Sequence, residues 1–411
     1  MKCRIIAVLG TRPEAIKLAV VIDQFRRRSQ EFEIAVIHTG QHRTMLDHAL
    51  QLFQIKPDFD LDVMRPNQTL SSLTARVLDT VENACLRFRP DMVLVQGDTT
   101  TAFASALAAY YSKAPVAHVE AGLRSRDIYN PFPEEVNRRL VSAMSEIHFA
   151  PTASARDNLL AEGVPSDRIV VTGNTVVDTL RALGELSHSW ENTPLAAVPA
   201  DACRLVLVTS HRRESWGADQ ERMCLALKDL VKKHSDIRVI YPVHMNPNVR
   251  QTVEALLHGT ERIHLTEPLD YITFVSLLQR CFLVLTDSGG IQEEAPTFRK
   301  PVLVLRKVTE RPEASQFGMA KIIGMTREAI VAEADRLLSD GDAYIDMSQG
   351  DNPYGDGHGS ERIVEAVARW HRKLTPLLEP DKEFKLPPRP QPRRRRTDVP
   401  TSVAKAAAGR E

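Results

Sequence analysis

Long apolar runs are missing from this 411-residue chain. No stretch approaches the ~18–20 apolar residues of a membrane-spanning helix, so membrane insertion is not expected. Paired cysteines are missing too. Cys3, Cys85, Cys203, Cys224 and Cys281 are scattered, odd in number and without CxxC spacing. That speaks against a disulfide scaffold or a cysteine zinc site, and for reduced thiols in a cytoplasm. Charge of one sign is not in excess, because 53 Lys and Arg balance 53 Asp and Glu. Neither nucleic acid nor an anionic membrane is therefore an expected partner. Met1-Lys2-Cys3-Arg4 leads straight into Ile5–Leu9 with no signal-peptide apolar region, which again leads us to expect a cytoplasmic protein. Walker A, GxGxxG, HExxH and GxSxG motifs are all absent, so ATPase, nicotinamide, zinc-peptidase and serine-hydrolase readings lose support. His38, His42 and His48 lie near one another but without zinc spacing, and we expect no metal there.

What the chain does contain is an alternation. Short β-branched runs stand at 5–9, 34–37, 92–95, 116–119, 147–149 and 169–171, then at 205–208, 239–241, 263–265, 283–285 and 302–305. Amphipathic stretches such as 14–27, 99–111 and 134–145 lie between them. Alternating strands and helices imply parallel sheets covered on both faces. So many strands predict an α/β fold of two doubly wound domains, with a closed eight-unit barrel as the rival. Residues 187–202, with Pro194 and Pro199, read as an edge or linker of the second half. From 380 onward the character changes. Residues 376–400 hold seven prolines, 393–396 is a run of four arginines, and 380–411 carries nine basic against four acidic residues. Such a segment buries too little apolar surface to offset its ordering entropy, so 380–411 is expected to be a disordered tail.

In open parallel sheets ligands bind beyond the carboxyl ends of the strands, so the residues after each strand matter most. Gly10-Thr11-Arg12-Pro13-Glu14 follows the first strand. Gly10 permits a sharp turn, Pro13 suits a first helical turn, and Arg12 beside a helix N-terminus attracts anions. Gly97-Asp98 and Glu120 follow two later strands, and Glu134 opens a helix after Pro131-Phe132-Pro133. Asp98 could be a helix cap and Glu134 a favourably placed first-turn acid. Together the three carboxylates suggest proton transfer, with burial and mutual repulsion raising at least one pKa. In the second half, Ser210-His211-Arg212-Arg213 puts a titratable ring beside two cations that can grip phosphate oxygens. Asp287-Ser288-Gly289-Gly290 opens a helix whose backbone N–H groups could receive a diphosphate, and Glu294, one turn in, could accept ribose hydroxyls. Arg311 adds charge or is simply a surface arginine.

Read in order, these segments resemble the UDP-N-acetylglucosamine 2-epimerase family of the non-hydrolysing bacterial type. The resemblance is carried by Gly10-Thr11-Arg12-Pro13-Glu14-Ala15-Ile16-Lys17, Thr39-Gly40-Gln41-His42, Gln96-Gly97-Asp98-Thr99-Thr100 and His118-Val119-Glu120-Ala121-Gly122-Leu123-Arg124. It continues through Pro131-Phe132-Pro133-Glu134-Glu135, His211-Arg212-Arg213-Glu214, Tyr241-Pro242-Val243-His244 and Thr286-Asp287-Ser288-Gly289-Gly290. Thr309-Glu310-Arg311-Pro312-Glu313 and Asn352-Pro353-Tyr354-Gly355-Asp356-Gly357 complete it. Any one block is weak, but the ordered set, spanning about residues 4 to 375, is specific.

The resemblance implies a GT-B-like pair of Rossmann-like domains facing across a cleft. These are a first domain over 1–175 with the acid/base carboxylates, a UDP-binding domain over 176–360, and a helix over 361–379 that crosses back. It implies cofactor-free elimination of UDP to a 2-acetamidoglucal and re-addition with inversion at C2, in nucleotide-sugar metabolism for cell-surface polysaccharide. Asp98, Glu120, Glu134 and His211 match catalytic positions. Arg12, Lys17, Arg213, Ser288, Gly289, Gly290, Glu294 and Arg311 match UDP-sugar-binding positions, with a solvent-facing place on its helix as the alternative for Lys17. Gln41, His42 and Arg43 match a region where UDP-N-acetylglucosamine acts as an activator in some members, and a homodimer is expected. Two departures stand out: Ser215-Trp216 where Asn is usual, and no acidic residue after Arg306. A UDP-sugar-dependent GT-B glycosyltransferase or a hydrolysing 2-epimerase are the competing enzymes, and a catalytically dead sugar-nucleotide sensor is the non-enzyme alternative.

Overall fold

The structure, a computed structural model, describes residues 1–40, 50–65, 68–199, 203–212, 215–309, 311–386 and 388. Two all-parallel sheets organise these residues. The first holds β1 (Cys3–Leu9), β2 (Phe32–His38), β3 (Phe59–Asp60), β4 (Met92–Gln96), β5 (Val116–Val119), β6 (Ile147–Ala150) and β7 (Ile169–Val171), in the order β3-β2-β1-β4-β5-β6-β7. The second holds β8 (Arg204–Thr209), β9 (Ile237–Pro242), β10 (Ile263–Thr266), β11 (Leu283–Thr286), β12 (Val302–Val304) and β13 (Ala320–Ile322), in the order β10-β9-β8-β11-β12-β13. Both sheets are open, which rules out the barrel.

The central strands are buried on both faces, which is why they read as continuous apolar runs rather than alternating ones. The helix Arg12–Arg27 shows the complementary pattern. Leu18, Val21, Ile22 and Phe25 recur at helical spacing and are buried against the first sheet. Each such side chain contributes roughly 1.5–3 kcal/mol on burial. The helices Leu70–Phe88 and Thr100–Tyr111 cover the opposite face.

Each sheet reverses direction once. The chain winds outward from β1 to β3 and returns at β4 on β1's other side, and likewise from β8 to β10 before returning at β11. These two switch points, β1/β4 and β8/β11, open crevices at the strands' carboxyl ends.

Between the sheets, the helix Thr175–Gly184 sends Val177, Leu180 and Leu183 into the second core, while Thr179 Oγ1 donates to Ile16 O at 2.7 Å. The helix Gly359–His371 returns to the first sheet, where Ile363, Val364 and Val367 join its core. Its N-terminus is held by the buried Asp178, which accepts from Gly359 N at 3.2 Å, Ser360 N at 2.7 Å and Ser360 Oγ at 2.7 Å. A negative side chain there is favoured by the helix dipole.

Three features differ from expectation or go beyond it. β3 has only the two residues Phe59-Asp60, and β13 reads Ala320-Lys321-Ile322, so neither leaves a continuous apolar run in the sequence. Residues 187–199 form no strand, and Trp190 anchors them, its Nε1 donating to Ser276 Oγ at 3.1 Å. The tail expected to be disordered from 380 does not begin there. Phe384 is buried, its N donates to Val171 O at 2.8 Å, and Arg362 Nε donates to Lys382 O at 2.7 Å. One aromatic side chain and the open edge of β7 are enough to hold residues 380–386 on the body. Residues 389–411 lie outside the described residues.

Candidate active site

The two crevices face each other and enclose a cavity of about 530 Å³. Its first wall is built on the turns after β1, β4 and β5. The turn after β1 needs Gly10, because a Cβ there would lie 2.3 Å from Thr101 Oγ1. Glu14 ties this turn to the next one. Its carboxylate accepts from Gly10 N at 2.9 Å, from Thr11 N, and from Thr99 Oγ1 at 2.6 Å, so the β1 and β4 turns are tied to one carboxylate. His118 supports the β4 turn from below, donating from Nε2 to Gly97 O at 2.8 Å. Burial pushes this imidazole down to about 3, so it remains neutral.

Asp98 projects from the β4 turn onto the cavity wall. Arg138 grips its Oδ2 through Nη2 and, at 3.2 Å, through Nε. Arg138 Nη1 also donates to Glu135 Oε2 at 2.7 Å. Glu135 is wholly buried and accepts from Ser125 N at 2.9 Å and Arg126 N at 3.2 Å. Burial alone would raise its pKa, but the donors from Ser125 and Arg138 outweigh it and hold it below the usual carboxylate range. Glu134 stands beside Asp98 but off the cavity wall. Burial, then the charge of Asp98, pushes it above the usual range, and its Oε2 has no hydrogen-bond partner among the described residues.

Glu120 occupies the wall after β5 in a left-handed backbone conformation, φ +64°. A non-glycine residue held there stores strain, a recurrent feature of functional sites. Glu120 Oε2 accepts from Lys17 Nζ, from Gln96 Nε2 at 3.0 Å and from Asn174 Nδ2 at 3.4 Å. Burial raises the Glu120 pKa. Burial also opposes the charge on Lys17, but Glu120 and Glu293 on either side overcome it and keep the ammonium protonated.

The second wall is built on β8 and β11. Asp287 is wholly buried after β11, and it shapes the backbone after β8. Its carboxylate accepts from Ser210 Oγ at 3.0 Å, His211 N at 3.0 Å and Arg212 N at 3.0 Å. His211 is thereby aimed into the cleft, with Nδ1 3.4 Å from Asp287 Oδ1 and its ring stacked 5.8 Å from His244. Ser288 and Gly290 line the cavity where the helix Gly289–Glu294 begins, while Gly289 is buried behind them. Glu294 faces Arg12 across the cleft. Burial pushes its carboxyl up to about 7, against the pull of Arg12. Between the walls, Glu293 accepts from Arg311 Nε at 2.7 Å and Asn174 Nδ2 at 3.3 Å and lies 3.9 Å from Lys17 Nζ.

Of the residues singled out in the sequence, Asp98, Glu120, His211, Arg12, Lys17, Ser288, Gly290, Glu294 and Arg311 all line this cavity. Glu134 and Gly289 do not. Lys17 does not face solvent, and Arg311 is not a surface arginine; both are ion-paired and largely buried. Gln41, His42, Arg43 and Arg213 lie outside the described residues. Of the two departures, Ser215 is buried and Trp216 packs on the second core, so that change is absorbed by packing. Sequence reading missed Glu14, Glu135, Arg138, Asn174, Asp287 and Glu293 as site residues. Only the i, i+3 spacing of Glu135 and Arg138 on one helix could have signalled a pair.

Comparison with known proteins agrees with this architecture. A family model described as UDP-N-acetylglucosamine 2-epimerase matches residues 24–368. The UDP-N-acetylglucosamine 2-epimerase of Yersinia pestis is 48% identical over 372 residues, covering 89% of this chain and 98% of that protein. The crystal structure of UDP-GlcNAc 2-epimerase from Neisseria meningitidis bound to UDP-GlcNAc superposes with a TM-score of 0.82 at 44% identity, covering 89% of this chain and 100% of that one. A structure of S. aureus MnaA with UDP superposes with a TM-score of 0.83 at 43% identity, covering 94% and 100%. With a match this long and this similar, the chain belongs to the UDP-N-acetylglucosamine 2-epimerase family.

Proposed function

We infer that this chain interconverts UDP-N-acetylglucosamine and UDP-N-acetylmannosamine by inversion at C2, without releasing the free sugar. The observation that carries the reading is a single cavity with carboxylates on one wall and a histidine beside a helix start on the other. The C2 proton is only weakly acidic, so it must leave as the C1–O bond breaks. The C2–H electrons become the C1–C2 π bond, and the C1–O electrons depart on the UDP diphosphate. Re-addition of UDP to the 2-acetamidoglucal, with protonation from the other face, completes the inversion. Two proton-transfer groups are needed, and Asp98 and Glu120 occupy the wall. Glu134, raised in pKa beside Asp98, serves as a proton reservoir.

His211 and the N–H groups around Ser288–Gly290 receive the leaving diphosphate, with Arg12, Arg213 and Arg311 as countercharges. Glu294 accepts ribose hydroxyls, and Lys17 positions Glu120. Gln41, His42 and Arg43 form the activator region in this reading. A homodimer is supported by the exposed Leu86, Tyr110, Tyr111 and Leu140 on neighbouring helices of the first sheet.

Proton NMR of UDP-N-acetylglucosamine incubated with the enzyme in D₂O and EDTA tests the reaction. The expected outcome is deuterium at C2 of both UDP-sugars with no free sugar. Release of free N-acetylmannosamine, or turnover that needs an acceptor or an added divalent ion, overturns it.

A further inference from the structure

Three metal-ligating side chains from distant parts of the chain meet at the end of the first sheet remote from the cleft. Cys3 opens β1, Asp91 immediately precedes β4, and His371 ends the return helix. Cys3 Sγ, a carboxylate oxygen of Asp91 and a ring nitrogen of His371 lie within 4.8 Å of one another. Positions 3, 91 and 371 have no zinc spacing along the sequence; the parallel register creates it. β1 and β4 are neighbours with Ile5 opposite Met92, so the two strand entries lie side by side. The return helix, packed on Arg12–Arg27, carries His371 to them.

The backbone holds the first two ligands in place. Arg4 N donates to Asp91 Oδ2 at 2.8 Å, Asp91 N donates to Arg4 O at 2.8 Å, and Cys3 N donates to Glu31 O at 2.8 Å. Asp91 Oδ1 remains available as a metal ligand. Cys3 is buried and His371 half-buried, so protein closes one side of the cluster and solvent reaches the other. The epimerisation inferred above uses none of the three.

We propose that Cys3, Asp91 and His371 bind one Zn²⁺ ion, with a water molecule as the fourth ligand. Thiolate, imidazole and carboxylate are together a zinc donor set, whereas Mg²⁺ and Ca²⁺ take oxygen donors and leave a thiol aside. Tetrahedral Zn²⁺, with bonds of about 2.0–2.3 Å, sets its ligand atoms roughly 3.5 Å apart. The present spread of up to 4.8 Å therefore has to contract on binding, through the Asp91 and His371 side chains. As the S–Zn bond forms, the Cys3 S–H proton passes to solvent. The ion staples the end of the return helix to the entries of β1 and β4. Because this is the opposite end of the strands from the cleft, it acts on stability and not on turnover.

The test uses the full chain stripped with EDTA and kept reduced with a phosphine, with Co²⁺ as the spectroscopic probe. One equivalent of Co²⁺ should raise a thiolate-to-cobalt charge-transfer band together with the strong visible bands of tetrahedral cobalt, and Zn²⁺ should erase both. Cys3→Ser should lose the charge-transfer band. His371→Gln, at a half-buried helix end where folding is not at stake, should weaken Zn²⁺ binding by at least about tenfold. Zn²⁺ should raise the melting temperature of the parent and of neither variant, with turnover of UDP-N-acetylglucosamine equal in all three. Absence of the band in the parent overturns the proposal. So does its persistence in Cys3→Ser, which would move the metal to another cysteine, or Zn²⁺ binding undiminished in His371→Gln.

Discussion

The two walls of the cleft come from sheets of the same winding but differ in what holds the groups that face the cavity. On the first wall, side chains hold side chains: Arg138 links Asp98 to Glu135, and Lys17 sits between Glu120 and Glu293. On the second wall a side chain holds backbone: the buried Asp287 gathers the N–H groups of His211 and Arg212. A wall proposed to move protons needs carboxylates whose charge is tuned by neighbours, since burial by itself favours the neutral form, as it does at Glu120. A wall that receives a diphosphate needs donors fixed in space before the charge arrives. In the proposed function the same topology serves two tasks, and the difference lies in the residues just beyond each strand.

The comparison breaks most visibly at Asp98. Asp98→Asn keeps shape but removes the ionisable group, and turnover should fall roughly 10²–10⁴-fold. UDP affinity by calorimetry should hardly change, because UDP is assigned to the second wall. Loss of UDP binding in this variant would invert that assignment. The pair behind Asp98 comes next. Arg138→Met leaves Glu135 buried with fewer partners and Asp98 without its cation. Urea unfolding should show a loss of about 3 kcal/mol, the low end for breaking a buried pair, since Ser125 N and Arg139 still reach Glu135. Arg138→Lys should recover part of the stability but less of the turnover, because a lysine cannot supply the guanidinium fork. Equal recovery of both would mean that charge alone matters.

Glu294 sharpens the contrast, being the acid of the second wall. Its carboxyl is pushed up to about 7 by burial, whereas in the unfolded chain it titrates near ~4.3. Between those values the native state binds more protons, so this group makes the fold less stable as pH rises from about 4.3 to 7. His118 has the opposite sign. Pushed down to about 3, it makes the fold less stable as pH falls from about 6.5, where the unfolded chain begins to take up the proton. Glu294→Gln should therefore gain stability over the parent at pH 8 relative to pH 5, by on the order of 3 kcal/mol at full effect. Parallel denaturation profiles for the two proteins would refute the shift.

The smallest effect concerns the first sheet's outer edge. Truncation after Pro388 should leave the melting temperature and turnover unchanged, whereas truncation after Pro380 removes the buried Phe384 from β7 and should cost about 2 kcal/mol. Equal melting temperatures for the two truncations would show that residues 381–386 add nothing to the body.

Much of this was legible along the chain, for local reasons. Strands buried on both faces must be continuously apolar, and helix starts carry their own signals, Pro13 and Glu14 among them. The doubly wound class and the ordered motifs came from those signals, and so did the positions of Asp98, Glu120, His211 and Ser288 beyond strand ends. The partners of those residues were not legible. Arg138 reaches Asp98 across 40 positions, Lys17 reaches Glu120 across 103 and Asn174 reaches Glu293 across 119. Nothing in a strand or helix pattern encodes which side chain another will meet at such separations. Parallel register and the return helix decided that, setting Glu134 beside Asp98 but off the cavity wall, burying Lys17, docking Phe384 and gathering Cys3, Asp91 and His371. Secondary structure is dictated by neighbours in sequence, but the charge on a carboxylate is dictated by neighbours in space.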